Sequence, residues 1–340
     1  MTRSHTQPII LITLLALIIQ ACTSASATPP ISQVTGSTVA ETATTSTSAA
    51  MTTTTTEGAG AEGPTGGPPA PVAALITATG VIVAVLEDSS FGYRVRTPCG
   101  NEAIVASGEE IGIVDVVLDP GHGGSPDPGA VGANGLKEAD VNLRVARNAQ
   151  RVLENRGVVV ALTRTADYTS PLGVRALFAD HVGAELMVSI HHNAPTANLG
   201  PEPGTEVFVQ HETPESSRLG GLLYEEAVEA FEVFDGVVWS KAPDAGVLEV
   251  LNTRGTDAYG MLRSPETVSA LVELAYISHR SEAELLTTEE YVSAAGLAVA
   301  DAISAYLDTN RLGRGYVAEP RVFTPQRGIS AAVCEDPDFG

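Results

Sequence analysis

The segment IVDVVLDPGHGG, residues 113–124, constrains the fold more than any other part of this chain. A continuous apolar run of this kind suits a strand covered on both faces, as in a sheet with helices packed on each side. In the following EADVNLRVARNAQRVLENRG, Val141, Val145, Ala149 and Val152 recur at helical spacing. Arg144, Arg147 and Arg151 lie off that stripe, and Gly157 stands where a helix would stop. VVVALTR then reads as a strand, PLGVRALFADHV as a helix, and ELMVSIH and TEVFVQ as strands. SSRLGGLLYEEAVEAF is helical, VSALVELAYI is a strand, and a helix from about Glu289 to Leu307 closes the series. The stretch from Trp239 to Tyr259 reads as a loop. This alternation predicts an α/β fold with a mainly parallel open sheet and helices on both faces. In such a fold the functional site lies at the C-terminal edge of the strands.

The preceding residues divide into three parts. Residues 1–22 combine Arg3 and the α-amino group with an apolar run from Ile9 to Ile19, which is short for a bilayer span and fits the core of a secretory signal. Cys22 follows Ile19-Gln20-Ala21, a pattern that resembles the lipobox of bacterial lipoproteins, so Cys22 is a candidate lipidated N-terminus and membrane tether. Residues 23–72 are dominated by Thr, Ser, Ala, Pro and Gly, including five consecutive threonines, and carry too little apolar surface to offset their ordering entropy. They are expected to be a disordered tether. Residues 73–112 hold short β-branched runs separated by SSFG and PCGN turns and read as a small antiparallel β unit. The catalytic region is expected over 113–307, with a C-terminal tail over 308–340.

Charge narrows the partners. Nineteen basic against 41 acidic side chains give a net charge of −22, which argues against nucleic acid or a bare anionic membrane surface. With Cys22 set aside, Cys99 and Cys334 remain, and an exported chain with two such cysteines is expected to join them in a disulfide. Two free thiols are the alternative.

His122 and His191 both fall just beyond expected strand ends, on one edge of an open sheet, and Glu138 opens the first helix near that edge. Two imidazoles and a carboxylate suit Zn²⁺ with a fourth position left for water. Spacing alone does not establish this: a lone histidine in a loop is ordinarily a solvated or hydrogen-bonded side chain, and Glu138 alone could be a helix N-terminal acid favoured by the macrodipole. Glu273 is a single acid in the apolar strand LVELAYI, a costly placement without a role.

Six segments in one order, LDPGHGG, GANGLKEADVNLRVA, TRTADYTSPLGVRALFAD, SIHHNA, GTEVFV and LVELAYISH, closely resemble the zinc-dependent N-acetylmuramoyl-L-alanine amidases of the amidase_3 type over about residues 113–307. The resemblance implies His122, Glu138 and His191 as ligands of one Zn²⁺ and Glu273 as the catalytic carboxylate. It implies hydrolysis of the amide between N-acetylmuramic acid and L-alanine of peptidoglycan, and an exported protein of the cell envelope, either lipid-anchored outside the cytoplasmic membrane or secreted. A zinc peptidase acting on the stem peptide and a catalytically inactive wall-binding module are the rival readings.

The sequence departs from the pattern in two places. His192 stands beside His191 where the family usually has a small residue; adjacent strand residues face opposite ways, so the metal is assigned to His191 alone. Ala275, Tyr276 and His279 replace an expected glycine, phenylalanine and asparagine. Arg175 is expected in a buried salt bridge, Asn193 near the site, and His5, His181 and His211 without a role. One clear helix, around Ser216 to Phe231, lies between His191 and Glu273, and no self-inhibitory helix is expected there.

Overall fold

The computed structural model describes residues 71–194, 204–235, 237, 245–324 and 333–340. The signal, Cys22 and almost all of the expected tether lie outside them. No described helix is long and apolar enough to cross a membrane.

Five short strands come first: β1 (Ala74–Ile76), β2 (Ile82–Ser89), β3 (Gly92–Arg96), β4 (Glu102–Val105) and β5 (Glu109–Ile111). They form an antiparallel sheet in the order β4-β3-β2-β1-β5, as the turn signals predict. The pleat sorts β2 into two faces. Val83 and Val85 pack with Val95, Val105 and Tyr168, whereas Ile82 and Ala84 pack with Phe178, Val117 and Met187 of the larger sheet's layer.

The second sheet begins with β6 (Val116–Pro120), followed by α1 (Glu138–Asn155), β7 (Val160–Leu162), α2 (Leu172–His181) and β8 (Leu186–Asn193). Then come β9 (Glu206–Val209), α3 (Pro214–Phe231), β10 (Gly246–Leu251), α4 (Gly260–Arg263), β11 (Val268–Tyr276), α5 (Arg280–Leu285), α6 (Glu289–Asp308) and β12 (Arg321–Val322). The strand order is β12-β10-β9-β11-β8-β6-β7. Neighbours run parallel except at β9 and β11, where the direction reverses. The mostly parallel sheet is thus as expected, and the start of β9 meets the ends of β8 and β11 at one edge.

Alternation along β6 shows why Val116, Val117 and Leu118 are all apolar. Val116 and Leu118 join the core beneath α1, α3 and α6, while Val117 joins the layer built by α2, Met261 of α4 and the small sheet. Gly157 adopts φ 87°, at the stop predicted for α1.

Three expectations need correction. His191 lies inside β8, which continues to Asn193, because the ladder with β11 extends past it. Residues 246–251 of the expected loop form β10; GVLEVL is too short and too interrupted by Glu249 to announce a strand, and pairing with β9 decides it. Residues beyond 307 contribute β12 to the sheet, and the last segment returns to the small β unit. There the Cys99–Cys334 disulfide forms, and the Asp336 carboxylate accepts from Thr97 Oγ1, Cys99 N and Asn101 Nδ2 at 2.8–2.9 Å.

Candidate metal centre

At the C-terminal edge, His122, Glu138 and His191 each present one potential ligand atom, all within 4.8 Å of one another. The loop after β6 brings His122 there with φ 60°, a left-handed conformation unusual for a residue with a side chain. The first helical residue of α1 is Glu138, and His191 comes from the end of β8. The two imidazole rings lie edge to face, 4.9 Å apart.

Glu138 sits between them. Its Oε2 lies 3.3 Å from His122 Nε2 and accepts from Ala130 N at 2.9 Å; its Oε1 lies 2.9 Å from His191 Nδ1. Burial opposes charge on this carboxylate, yet hydrogen bonding to both imidazoles holds it well below its ordinary pKa. His122 Nδ1 lies 2.6 Å from Asp127 Oδ1, which fixes the ring and leaves Nε2 facing the cluster. Against the desolvation that comes with burial, Asp127 and Glu138 raise the His122 pKa to about 10.

The donor set fits zinc: two imidazoles and a carboxylate of nearly fixed orientation converge on one point. Two glycines keep that point open. A Cβ on Gly121 would stand 2.2 Å from the His191 ring, and one on Gly129 would stand 2.7 Å from Glu138 Oε2 and 2.8 Å from His122 Cδ2. Gly129 also has φ 68°.

Glu273 of β11 stands directly across from His191 in the parallel ladder. Its Oε2 is buried and has no hydrogen-bond partner. Burial first, then the carboxylates of Glu138 and Glu206, raise its pKa well above the usual value. Two glutamates at one edge are thus driven in opposite directions, Glu138 by its imidazole partners and Glu273 by burial.

His192 turns to the opposite face, as the pleat requires. Its Nδ1 lies 2.7 Å from Asn142 Oδ1 and its Nε2 2.9 Å from the Tyr291 hydroxyl, while burial pushes its pKa down to about 3. Arg175 bridges to Asp119 at 3.1 Å, both fully buried, and donates to the His122 carbonyl at 2.5 Å. Asn193 Nδ2 donates to Glu206 Oε2 at 2.6 Å. His181 and His211 stand apart, against the Val85 carbonyl and Glu249 respectively.

Three contributors escaped the sequence reading. Asp127 and Glu206 left no signal beyond being acids in loop or strand. Asp119 did leave one: an acid in an otherwise apolar strand, the same signal that drew attention to Glu273.

Residues 116–305 match the Amidase_3 family, described as N-acetylmuramoyl-L-alanine amidase. The chain is 33% identical over 220 residues to N-acetylmuramoyl-L-alanine amidase AmiA of Escherichia coli, covering 56% of this chain and 75% of that protein. It is 31% identical over 229 residues to N-acetylmuramoyl-L-alanine amidase AmiC of Neisseria meningitidis, covering 59% of this chain and 54% of the relative. Among solved structures, N-acetylmuramoyl-L-alanine amidase AmiC2 of Nostoc punctiforme shows 32% identity and a TM-score of 0.47, covering 58% of this chain and 98% of that one.

Proposed function

Because the chain belongs to the N-acetylmuramoyl-L-alanine amidase family as a zinc hydrolase of peptidoglycan, we propose that His122, Glu138 and His191 hold the zinc and that Glu273 is the catalytic carboxylate. The observation that carries this reading is the pairing of a converged His-Glu-His cluster with a buried acid, across from His191, whose Oε2 has no partner.

When bound, zinc would polarise a carbonyl and lower the pKa of water towards roughly 7. Glu273 accepts a proton from the attacking water as the new carbon–oxygen bond forms at the lactyl carbonyl of N-acetylmuramic acid. It returns that proton to the departing amine of L-alanine as the carbon–nitrogen bond breaks. A carboxyl with raised proton affinity suits both halves of this transfer, since it must take a proton and give it back. Asp127 keeps the His122 ring in one tautomer throughout.

Zinc-loaded protein incubated with purified peptidoglycan tests the reading. Mass spectrometry should show intact stem peptides with a free L-alanine amino group, and chelator should abolish their release. Shortened stem peptides would instead identify a peptidase.

Membership in a cell-wall amidase family together with the Cys99–Cys334 disulfide supports an exported protein. The N-terminal signal and lipidation at Cys22 complete this proposal, resting on the sequence pattern alone. Mature protein from membranes should carry the mass of acyl chains at Cys22, and Cys22→Ser should release it to the soluble fraction; a membrane-bound Cys22→Ser protein would refute the tether.

A further inference from the structure

Glu206 is the first residue of β9 and stands across from Glu273 in the antiparallel ladder. It is fully buried. Its carboxylate gathers groups from three other strands. On Oε2 it accepts from Asn193 Nδ2 of β8 at 2.6 Å and from the Tyr276 hydroxyl of β11 at 3.2 Å. On Oε1 it accepts from Arg321 Nη2 of β12 at 2.5 Å.

Two of those donors sit beside the reacting groups. Asn193 is two residues beyond His191, and Tyr276 three beyond Glu273. The β8–β11 ladder is in step through Glu273↔His191 and then shifts before Tyr276↔Asn193. The ladder is disrupted only locally: pairing resumes past the shift, where Ile277 N donates to the Asn193 carbonyl at 2.9 Å. Glu206 adds a side-chain link across the irregularity by binding both ends through one carboxylate.

A buried carboxylate is costly without a countercharge. Arg321 provides it, with its guanidinium carbon 5.7 Å from the centre of the Phe208 ring. Arg321 lies outside residues 116–305, the segment matched to the family.

We propose that Glu206 and Arg321 form a positioning pair for the hydrolysis: Glu206 ties the ends of β8 and β11 together just beyond His191 and Glu273 and so steadies those two side chains, and Arg321 holds Glu206 in place. The segment beyond the family-matched region thereby becomes part of the catalytic apparatus. This inference rests on Glu273 being the catalytic carboxylate.

The test compares the full-length exported protein with R321M, R321K, E206Q, the double variant E206Q/R321M and E273Q. For each, kcat and KM on soluble muropeptides, zinc content and Tm are measured. R321M should lose about tenfold or more in kcat with KM nearly unchanged and zinc retained, since a misplaced reacting group lowers rate rather than ground-state binding. R321K should recover much of that loss. E206Q/R321M should exceed R321M, because Glu206 then no longer carries the charge that Arg321 offsets. An unchanged kcat in folded R321M overturns the pair, as does a loss that zinc depletion or melting fully accounts for. If R321M does not fold, E206Q decides: reduced kcat with zinc retained supports the inference and wild-type kcat overturns it. Full activity in E273Q would remove Glu273 from the reaction while leaving any Arg321 effect to stand separately, which distinguishes the two failures.

Discussion

Two groups of charged side chains lie one layer apart at the end of β6, and they differ in how completely they are satisfied. In the lower one, Asp119 accepts from Thr163 Oγ1, from Ser189 Oγ at 2.6 Å and from Arg175 at 3.1 Å. Arg175 also donates to the carbonyls of Ser170, Pro120 and His122, and the neighbouring Arg164 donates to those of Pro120, Gly121, Ala139 and Ala166. Arg175 and Ser189 hold the Asp119 carboxyl below its ordinary range despite full burial. The upper group, His122, Glu138, His191 and Glu273, sets imidazoles rather than guanidiniums against its carboxylates, crowds its ligand atoms together and leaves Glu273 Oε2 without a partner. Fully paired charges build the platform, and the group with an unpaired carboxylate oxygen is the one proposed for the chemistry.

The largest effect that would break this comparison belongs to Glu273. Glu273→Gln should lower kcat by about 10²–10⁴-fold, with zinc content by metal analysis and Tm near wild type. A folded variant with near wild-type activity would place Glu273 with the platform instead. Next comes the platform itself. Arg175→Met leaves Asp119 buried without its cation and should cost about 3–5 kcal/mol in stability, read by denaturant unfolding. A variant of unchanged stability that lost activity would show that Arg175 acts on substrate.

Pairing through the disulfide should matter less. Cys99→Ser/Cys334→Ser should lower stability by about 2–4 kcal/mol while leaving kcat unchanged well below its Tm. A selective loss of kcat would tie the bridge to the metal loop.

The smallest expected effect is a pH dependence at His192. Its folded pKa of about 3 lies below the ordinary 6.5. The stabilisation it gains as a neutral ring is therefore full above about pH 6.5 and lost as pH falls towards 3. His192→Gln should flatten that part of the stability curve; an equally steep acid limb would assign the loss to Asp119 and Glu138, whose lowered values act in the same direction at lower pH.

Much of the upper group was legible in the sequence because strand ends and a helix start carry it. Once β6, α1 and β8 are placed, their termini must meet at one edge. Glu273 was legible as an acid in an apolar run. The platform was less so: Arg175 was expected in a buried salt bridge and forms one with Asp119, but Arg164 looks like any surface arginine until its carbonyl partners are known. Strand β10 was missed because its run was short and carried Glu249, and β12 because two residues give no period at all.

Sequence alone settled most of the alternation of strands and helices, β10 and β12 excepted, together with the ordered motifs and the residue types offered to a metal. These follow from periodicity and from side-chain chemistry, which are local. Which atoms face one another was decided by the tertiary structure. The pleat of β8 sent His191 to the cluster and His192 beneath Tyr291, and the reversal at β9 set Glu206 beside Glu273. A return of the last segment placed Arg321 on Glu206 and Cys334 on Cys99. Such contacts join residues as far as 235 positions apart, where no local preference reaches, and only strand order and packing bring them within bonding distance.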